Sequence, residues 1–204
     1  PKGEAAGVPH GPRPELSGRE PVLVTLKMKR HVWGLRTRRA FHAILPALFA
    51  VVARGAVGLV HYSVQRDHIH LIVEAESAEA LSRAIAGLCV SIARRLNRMM
   101  ARRGKVFADR FHERVLASPR QVRNALRYVL SNARKHGVAP AERRWVDPYS
   151  SAGAFDGWAV ELTPLHGGSF RPPVAEPGTW LLRVGWRRGG PRIDPGETPG
   201  PLAA

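Results

Sequence analysis

Two alternating stretches joined by a short turn constrain this chain more than any other feature. Val57 to Gln65 and His68 to Glu74 each carry apolar residues at every second position, and Arg66-Asp67 lies between them, a pattern that predicts an antiparallel hairpin. A period of two puts His68, His70 and Ile72 on one face of the second strand and Ile69, Leu71 and Val73 on the other. Two imidazoles then stand side by side. Two readings fit them: a strand with two half-exposed histidines, or a rigid pair of neutral nitrogen ligands that grip one divalent cation. Asp67 is read as a turn residue, with the orienting of an imidazole as its alternative role. Glu74 shares the histidines' face and is expected near any metal bound there.

The elements around the hairpin follow from the same periodicities. Val22, Val24, Leu26 and Met28 alternate with Leu23, Thr25 and Lys27, which predicts a first strand. Phe41, Ile44, Leu45, Leu48 and Val52 mark a helical region, with Pro46 expected to kink it or split it. Ser77 caps a long helix with Glu79 in its first turn, and Leu81, Ile85, Leu88, Ile92, Leu96 and Met99 form its apolar stripe. That stripe is core. Val106 to Leu116 reads as a last strand with a twisted or bulged middle. The order strand, helix, strand, strand, helix, strand is that of an α+β, ferredoxin-like (split βαβ) antiparallel sheet, with helices on one face and the other face open.

The sharpest local signature comes next. Ser118-Pro119-Arg120-Gln121 is a capping box with Pro at the first helical position, so a further helix starts here. Val122, Ala125, Leu126, Val129 and Ala133 project within one arc at about 100° per residue, and Gly137 supplies the stop. Tyr128 projects about 130° from that arc, and Asn132 about 40° from Tyr128. Two readings fit an off-core tyrosine: a surface residue lying along arginines, or a functional group facing the open side of the sheet.

Charge names the partner. The 204 residues hold 32 Lys+Arg against 16 Asp+Glu, a formal +16, and the pI is near 11.5. Such a field attracts a polyanion, and nucleic acid leads. Lys29, Arg30, Arg36, Arg38 and Arg39 form a basic loop around Trp33 that suits phosphate contact with base stacking, or a solvated charge cluster. Arg94, Arg98 and Arg102 lie off the apolar stripe and are candidate backbone-gripping residues. No apolar run of 18 residues and no apolar signal segment is present, so no membrane role and a cytoplasmic address are expected. The single Cys89 excludes an intrachain disulfide framework and a Cys-rich zinc knuckle. Three segments emerge: a mobile arm over 1–20, a domain over 21–137, and an appendage over 138–204. Ten of the 17 prolines fall in the last, with four Trp and no period of its own. Within it, Trp180 to Trp186 fits a short strand or a segment docked on the body.

Asp67-His68-Ile69-His70 followed by Leu71-Ile72-Val73, then Gly104-Lys105-Val106-Phe107 with Arg110-Phe111, then Leu126 to Asn132, resembles the single-tyrosine HUH transposases, particularly the REP-associated tyrosine transposases. His-hydrophobic-His alone is a weak signal. Its order and distance relative to Tyr-x-x-x-Asn on a helix are far more specific. The resemblance implies a transposase that nicks single-stranded or hairpin DNA. Tyr128 would be the nucleophile, with Mg2+ or Mn2+ held by His68, His70 and Asn132. Arg110 and Arg127 join the candidate DNA contacts. A homodimer and an association with the bacterial nucleoid are implied as well. Beyond Asn132 the run Ala133-Arg134-Lys135-His136 departs from the Asn-Pro continuation common in the family. The alternative is a non-catalytic nucleic-acid binder on the same fold. A two-histidine phosphodiesterase fits poorly, since it wants two separated His-x-Ser/Thr motifs.

Overall fold

The computed structural model describes residues 16–32, 34–162 and 171–200. The expected mobile arm lies largely outside these residues, and so does the stacking role of Trp33. Four strands, β1 (Val22–Lys27), β2 (Gly58–Val64), β3 (His68–Glu74) and β4 (His112–Val115), form an antiparallel sheet in the order β2-β3-β1-β4. Helices α1 (Arg38–Arg54) and α2 (Ala78–Met99) pack against each other and cover one face, built from Val24, Leu26, Ile69, Leu71 and their neighbours. This is the ferredoxin-like α+β arrangement that the element order predicts.

Local chemistry sets the ends of these elements. Thr37 caps α1 by accepting from the Ala40 amide at 3.2 Å, and Gly55 closes it at φ 65°, a left-handed value that favours glycine. Ser77 does the same for α2 through the Ala80 amide. Pro46 does not split α1, which runs through it without a break. Both Pro46 and His42, whose carbonyl loses its amide partner, lie on the exposed side of the helix, so the loss is not buried. The expected last strand is interrupted as the bulge predicted. Phe107 bridges Met28, residues 108–110 bend away, and β4 starts at His112.

The second face of the sheet is covered, not open. Helix α3 (Pro119–Leu130) lays Val122, Ala125, Leu126 and Val129 over Leu23, Val60 and Ile72. Trp158, Leu181, Leu182, Trp186 and Ile193 of the C-terminal stretch complete that second core. Trp180 to Trp186 is the docked segment of the two alternatives, a short helix α5 (Trp180–Arg183) followed by a 3-10 turn over 185–189 that packs on α3. Single anchors, each worth roughly 1.5–3 kcal/mol when buried, do this without any period for the sequence to display.

The same stretch also closes an edge of the sheet. Ser63 bridges Ser150, the Val64 amide donates to Tyr149 O (2.9 Å), the Ser151 amide to Tyr62 O (3.0 Å), and the Ala175 amide to Leu59 O (2.7 Å). Asp147 anchors it, accepting two bonds from Arg36 at 2.7 and 2.9 Å. Glu74 accepts from the amides of Gly178 and Thr179 at 2.7 and 2.8 Å. Glu74 is thus a clamp for the tail at the far end of β3, which corrects the expectation that it stands near a metal: a period of two fixes the face but not the position along it. Between Leu59 and His61 the register shifts, so that Val60 and His61 together oppose Ile72. No helix among the described residues is long and apolar enough to cross a membrane.

Candidate active site

His70 sits mid-strand on β3 with Thr25 of β1 directly opposite. Its Nδ1 is 2.9 Å from Thr25 Oγ1, while its Nε2 is buried and has no hydrogen-bond partner. Burial, helped by the positive charges of His68, His136 and Lys135, pushes the imidazole down to about 3. At neutral pH the ring is therefore uncharged. With Nδ1 satisfied by the hydroxyl, Nε2 is the nitrogen left to offer a lone pair. His68, two residues earlier, places its ring 4.6 Å from that of His70. Asp67 Oδ1 lies 2.8 Å from His68 Nδ1, which leaves Nε2 for other use. Of the two roles read for Asp67, it performs the orienting one as well as forming the turn.

The opposite wall comes from α3. Ser118 Oγ accepts from the Gln121 amide (3.3 Å), and Gln121 Oε1 reaches back to the Ala117 amide (2.8 Å). This fixes where the helix begins and hence which side Tyr128 faces. The Tyr128 ring stands 5.0 Å from the His70 ring, and Lys135 Nζ lies 4.5 Å from the Tyr128 ring centre. Asn132 differs from expectation. It is fully buried, because α3 ends at Leu130 and Ser131 (φ −106°, ψ 17°) breaks the helical path before the short α4 (Asn132–Lys135). An angle extrapolated at a constant 100° per residue fails across that break. Neither Oδ1 nor Nδ2 of Asn132 has a partner. Arg134 holds α4 in place, donating to the carbonyls of Pro140 (3.2 Å), Glu142 (2.7 Å) and Trp145 (3.1 Å).

These atoms fit a divalent cation. A buried imidazole nitrogen and a buried amide oxygen without partners each cost a fold about 1–3 kcal/mol. Thr25 and Asp67 each hold the Nδ1 of one histidine, as partners of metal-binding imidazoles usually do. Among the described residues no group of three His, Cys, Asp or Glu is arranged to hold a metal. A cation at the histidine pair would draw on His68 Nε2, His70 Nε2 and Asn132 Oδ1.

The family model for IS200-like transposases matches residues 21–132, from the residue before β1 to Asn132. The chain belongs to the IS200-like transposase family. Among solved structures, a REP-associated tyrosine transposase bound to a REP hairpin matches with a TM-score of 0.57 at 18% identity, over 80% of this chain and 98% of that one. A putative transposase from Deinococcus radiodurans R1 matches with a TM-score of 0.39 at 15% identity, over 53% and 85% of the two chains. The first establishes a shared fold. No curated protein matches the sequence.

In this IS200-like transposase the basic residues divide into three groups. Lys29 and Arg30 lie at the histidine end of the sheet, where the Met28 amide donates to Asp67 O and the Lys29 amide to Val106 O, both at 2.8 Å. Arg110, four residues past Val106, belongs to the same loop system, and Arg38 and Arg39 open α1 just beyond it. Arg94 and Arg98 line a groove of about 520 Å³ between α1 and α2, on the other side of the sheet from Tyr128. Arg102 is half-buried and donates to the carbonyls of Arg103 and Lys105. Arg36 and Arg127 are engaged within the fold: Arg36 pairs with the buried Asp147, and Arg127 with the partly exposed Glu197. Their acidic partners lie 111 and 70 residues away, beyond the reach of any local pattern. Thr25, Lys135 and His136, whose ring is 5.5 Å from that of His68, were not singled out by sequence. Only strand pairing and the break at Ser131 bring them in.

Proposed function

We propose that this transposase cuts and rejoins single-stranded DNA, including the unpaired flanks of hairpins, through Tyr128. The supporting observation is the edge-to-face contact of Tyr128 with His70, whose Nε2, like Asn132 Oδ1 four residues beyond Tyr128, is buried and unpartnered. Tyr128 Oη attacks a backbone phosphorus, so that an Oη–P bond forms and the P–O3′ bond breaks. The phenol gives up its proton and the departing 3′-oxygen gains one. A 5′-phosphotyrosine and a free 3′-hydroxyl result. A second 3′-hydroxyl reverses the step on a new partner, because the phosphotyrosine conserves the free energy of the broken phosphodiester.

His68, His70 and Asn132 would hold Mg2+ or Mn2+, which polarises phosphoryl oxygens and offsets the charge that grows on them. Lys135 places a positive charge over the Tyr128 ring, close to where negative charge grows during the transfer. Lys29 and Arg30 supply phosphate contacts at the same end of the sheet. The proposed place of action is the nucleoid, where a chain of formal charge +16 meets DNA.

The test incubates wild type and Tyr128→Phe with end-labelled single-stranded DNA from the flanks of the gene, with and without Mn2+, on a denaturing gel. A Mn2+-dependent covalent adduct that Tyr128→Phe abolishes is the expected result. DNA that is bound but left intact, with an affinity indifferent to chelator, would make the chain a binder on a transposase fold.

A further inference from the structure

The register shift in β2 has a result at its far end. Past it, His61, Ser63 and Gln65 turn to the face that carries the histidines, while Tyr62 and Val64 join the core under α1 and α2. Ser63 pairs with His70, and the bond from the Gln65 amide to His68 O (2.8 Å) sets Gln65 opposite His68. On the other side Thr25 pairs with His70 and Lys27 with His68. Two cross-strand rows therefore share one surface: Thr25, His70, Ser63 and Lys27, His68, Gln65. Side chains directly opposite on antiparallel strands have Cβ atoms about 4.5–5.5 Å apart, so Gln65 is a direct neighbour of His68.

Gln65 is only 1% exposed. Its Nε2 donates to Ser63 Oγ at 2.6 Å, which folds the side chain back toward the row of His70. Its Oε1 is buried without a partner. A leucine or methionine would fill this position with no polar atom to satisfy, so a carbonyl oxygen held here at a cost of about 1–3 kcal/mol needs a use.

We propose that Gln65 Oε1 is a further oxygen ligand of the divalent cation held by His68, His70 and Asn132, and that Ser63 is the residue that positions it. This rests on the metal reading above and goes beyond it. Hard cations such as Mg2+ and Mn2+ prefer oxygen, and two imidazoles with a single amide oxygen meet that preference poorly. Ser63, by holding the nitrogen end of the amide, leaves the oxygen end as the one presented. A neutral ligand also leaves the full charge of the cation to act on a phosphate.

Binding of Mn2+ alone, followed by the loss of the free-ion electron paramagnetic resonance signal, tests this without any DNA. The chains compared are wild type, His70→Ala, Ser63→Ala, Gln65→Met and Gln65→Glu, each first checked for a cooperative thermal transition. Gln65→Met is expected to weaken binding about tenfold or more, and Ser63→Ala to weaken it by less. Gln65→Glu, of nearly unchanged volume, is expected to tighten binding about tenfold through its added charge, and it carries the test if Gln65→Met does not fold. If both Gln65 variants bind as wild type while His70→Ala loses the ion, Gln65 is no ligand and the metal site stands. If wild type and His70→Ala bind alike, the metal reading itself fails and this inference with it.

Discussion

The ring of Tyr128 meets that of His70 edge to face, with centroids 5.0 Å apart and planes at 71°. One belongs to α3 and the other to the middle of β3, so the reacting hydroxyl proposed here is referred to the rigid sheet. Lys135 Nζ lies over the Tyr128 ring, 4.5 Å from its centre.

From that arrangement, Lys135→Met is expected to slow formation of the DNA adduct roughly fivefold, the equivalent of about 1 kcal/mol of cation-π interaction. Mn2+ affinity should stay as in wild type. Single-turnover gels read the rate, and an unchanged rate would remove Lys135 from the reaction.

Thr25→Val keeps the shape of the side chain and deletes the oxygen that holds His70 Nδ1. Losing such an orienting partner typically costs about 10–100-fold in metal affinity. Titration calorimetry with Mn2+ is the measurement. Wild-type affinity would show that Thr25 serves packing alone.

Asp147→Ala leaves the guanidinium of Arg36 inside the fold without its bidentate partner, next to a carboxylate site that is 1% exposed in its side chain. Breaking a buried pair from one side costs about 3–5 kcal/mol. Urea unfolding should show a loss of that order, and a loss under about 1 kcal/mol would mean that water replaces the pair.

Acid should weaken the fold through His61, whose Nδ1 lies 3.1 Å from Ser151 Oγ at the docked tail. Burial pushes this imidazole down to about 4 from 6.5. Between those values the unfolded chain binds more protons than the folded one, so stability present above pH 6.5 is lost as the pH falls through 4. The loss is on the order of 3 kcal/mol. Melting temperatures across that window should fall for wild type and fall less for His61→Gln. Parallel slopes would place the effect elsewhere.

Much of the fold was legible because periodicity is local. Strand alternation, the caps at Ser77 and Ser118 and the order of elements lead to the ferredoxin-like sheet. His68, His70 and Tyr128 stood out for the same reason. What stayed hidden depends on contacts between distant segments. Thr25 reaches the site only through the register of β1 on β3, and Asn132 is buried only because Ser131 breaks a helix that the apolar arc had carried through to Ala133. Arg36 read as a free cation because its partner Asp147 lies far along the chain. The tail read as an appendage because Trp158, Trp186 and Ile193 are isolated anchors with no repeat between them.

The tail's position on β2 bears on what a shorter version of this protein would be. The family match stops at residue 132, yet residues 149–151 and 175 occupy hydrogen bonds along β2, and Trp158 and Trp186 belong to the second core, with the turn that carries Trp186 packed on α3. A chain cut back to 1–137 would bare a strand edge and the apolar side of the second core together, the combination that recruits other chains. Sedimentation should find it self-associated, and a monodisperse monomer would contradict this. The last third of the chain thus stands where a neighbouring molecule would otherwise dock, as an internal cover for the edge and the second core.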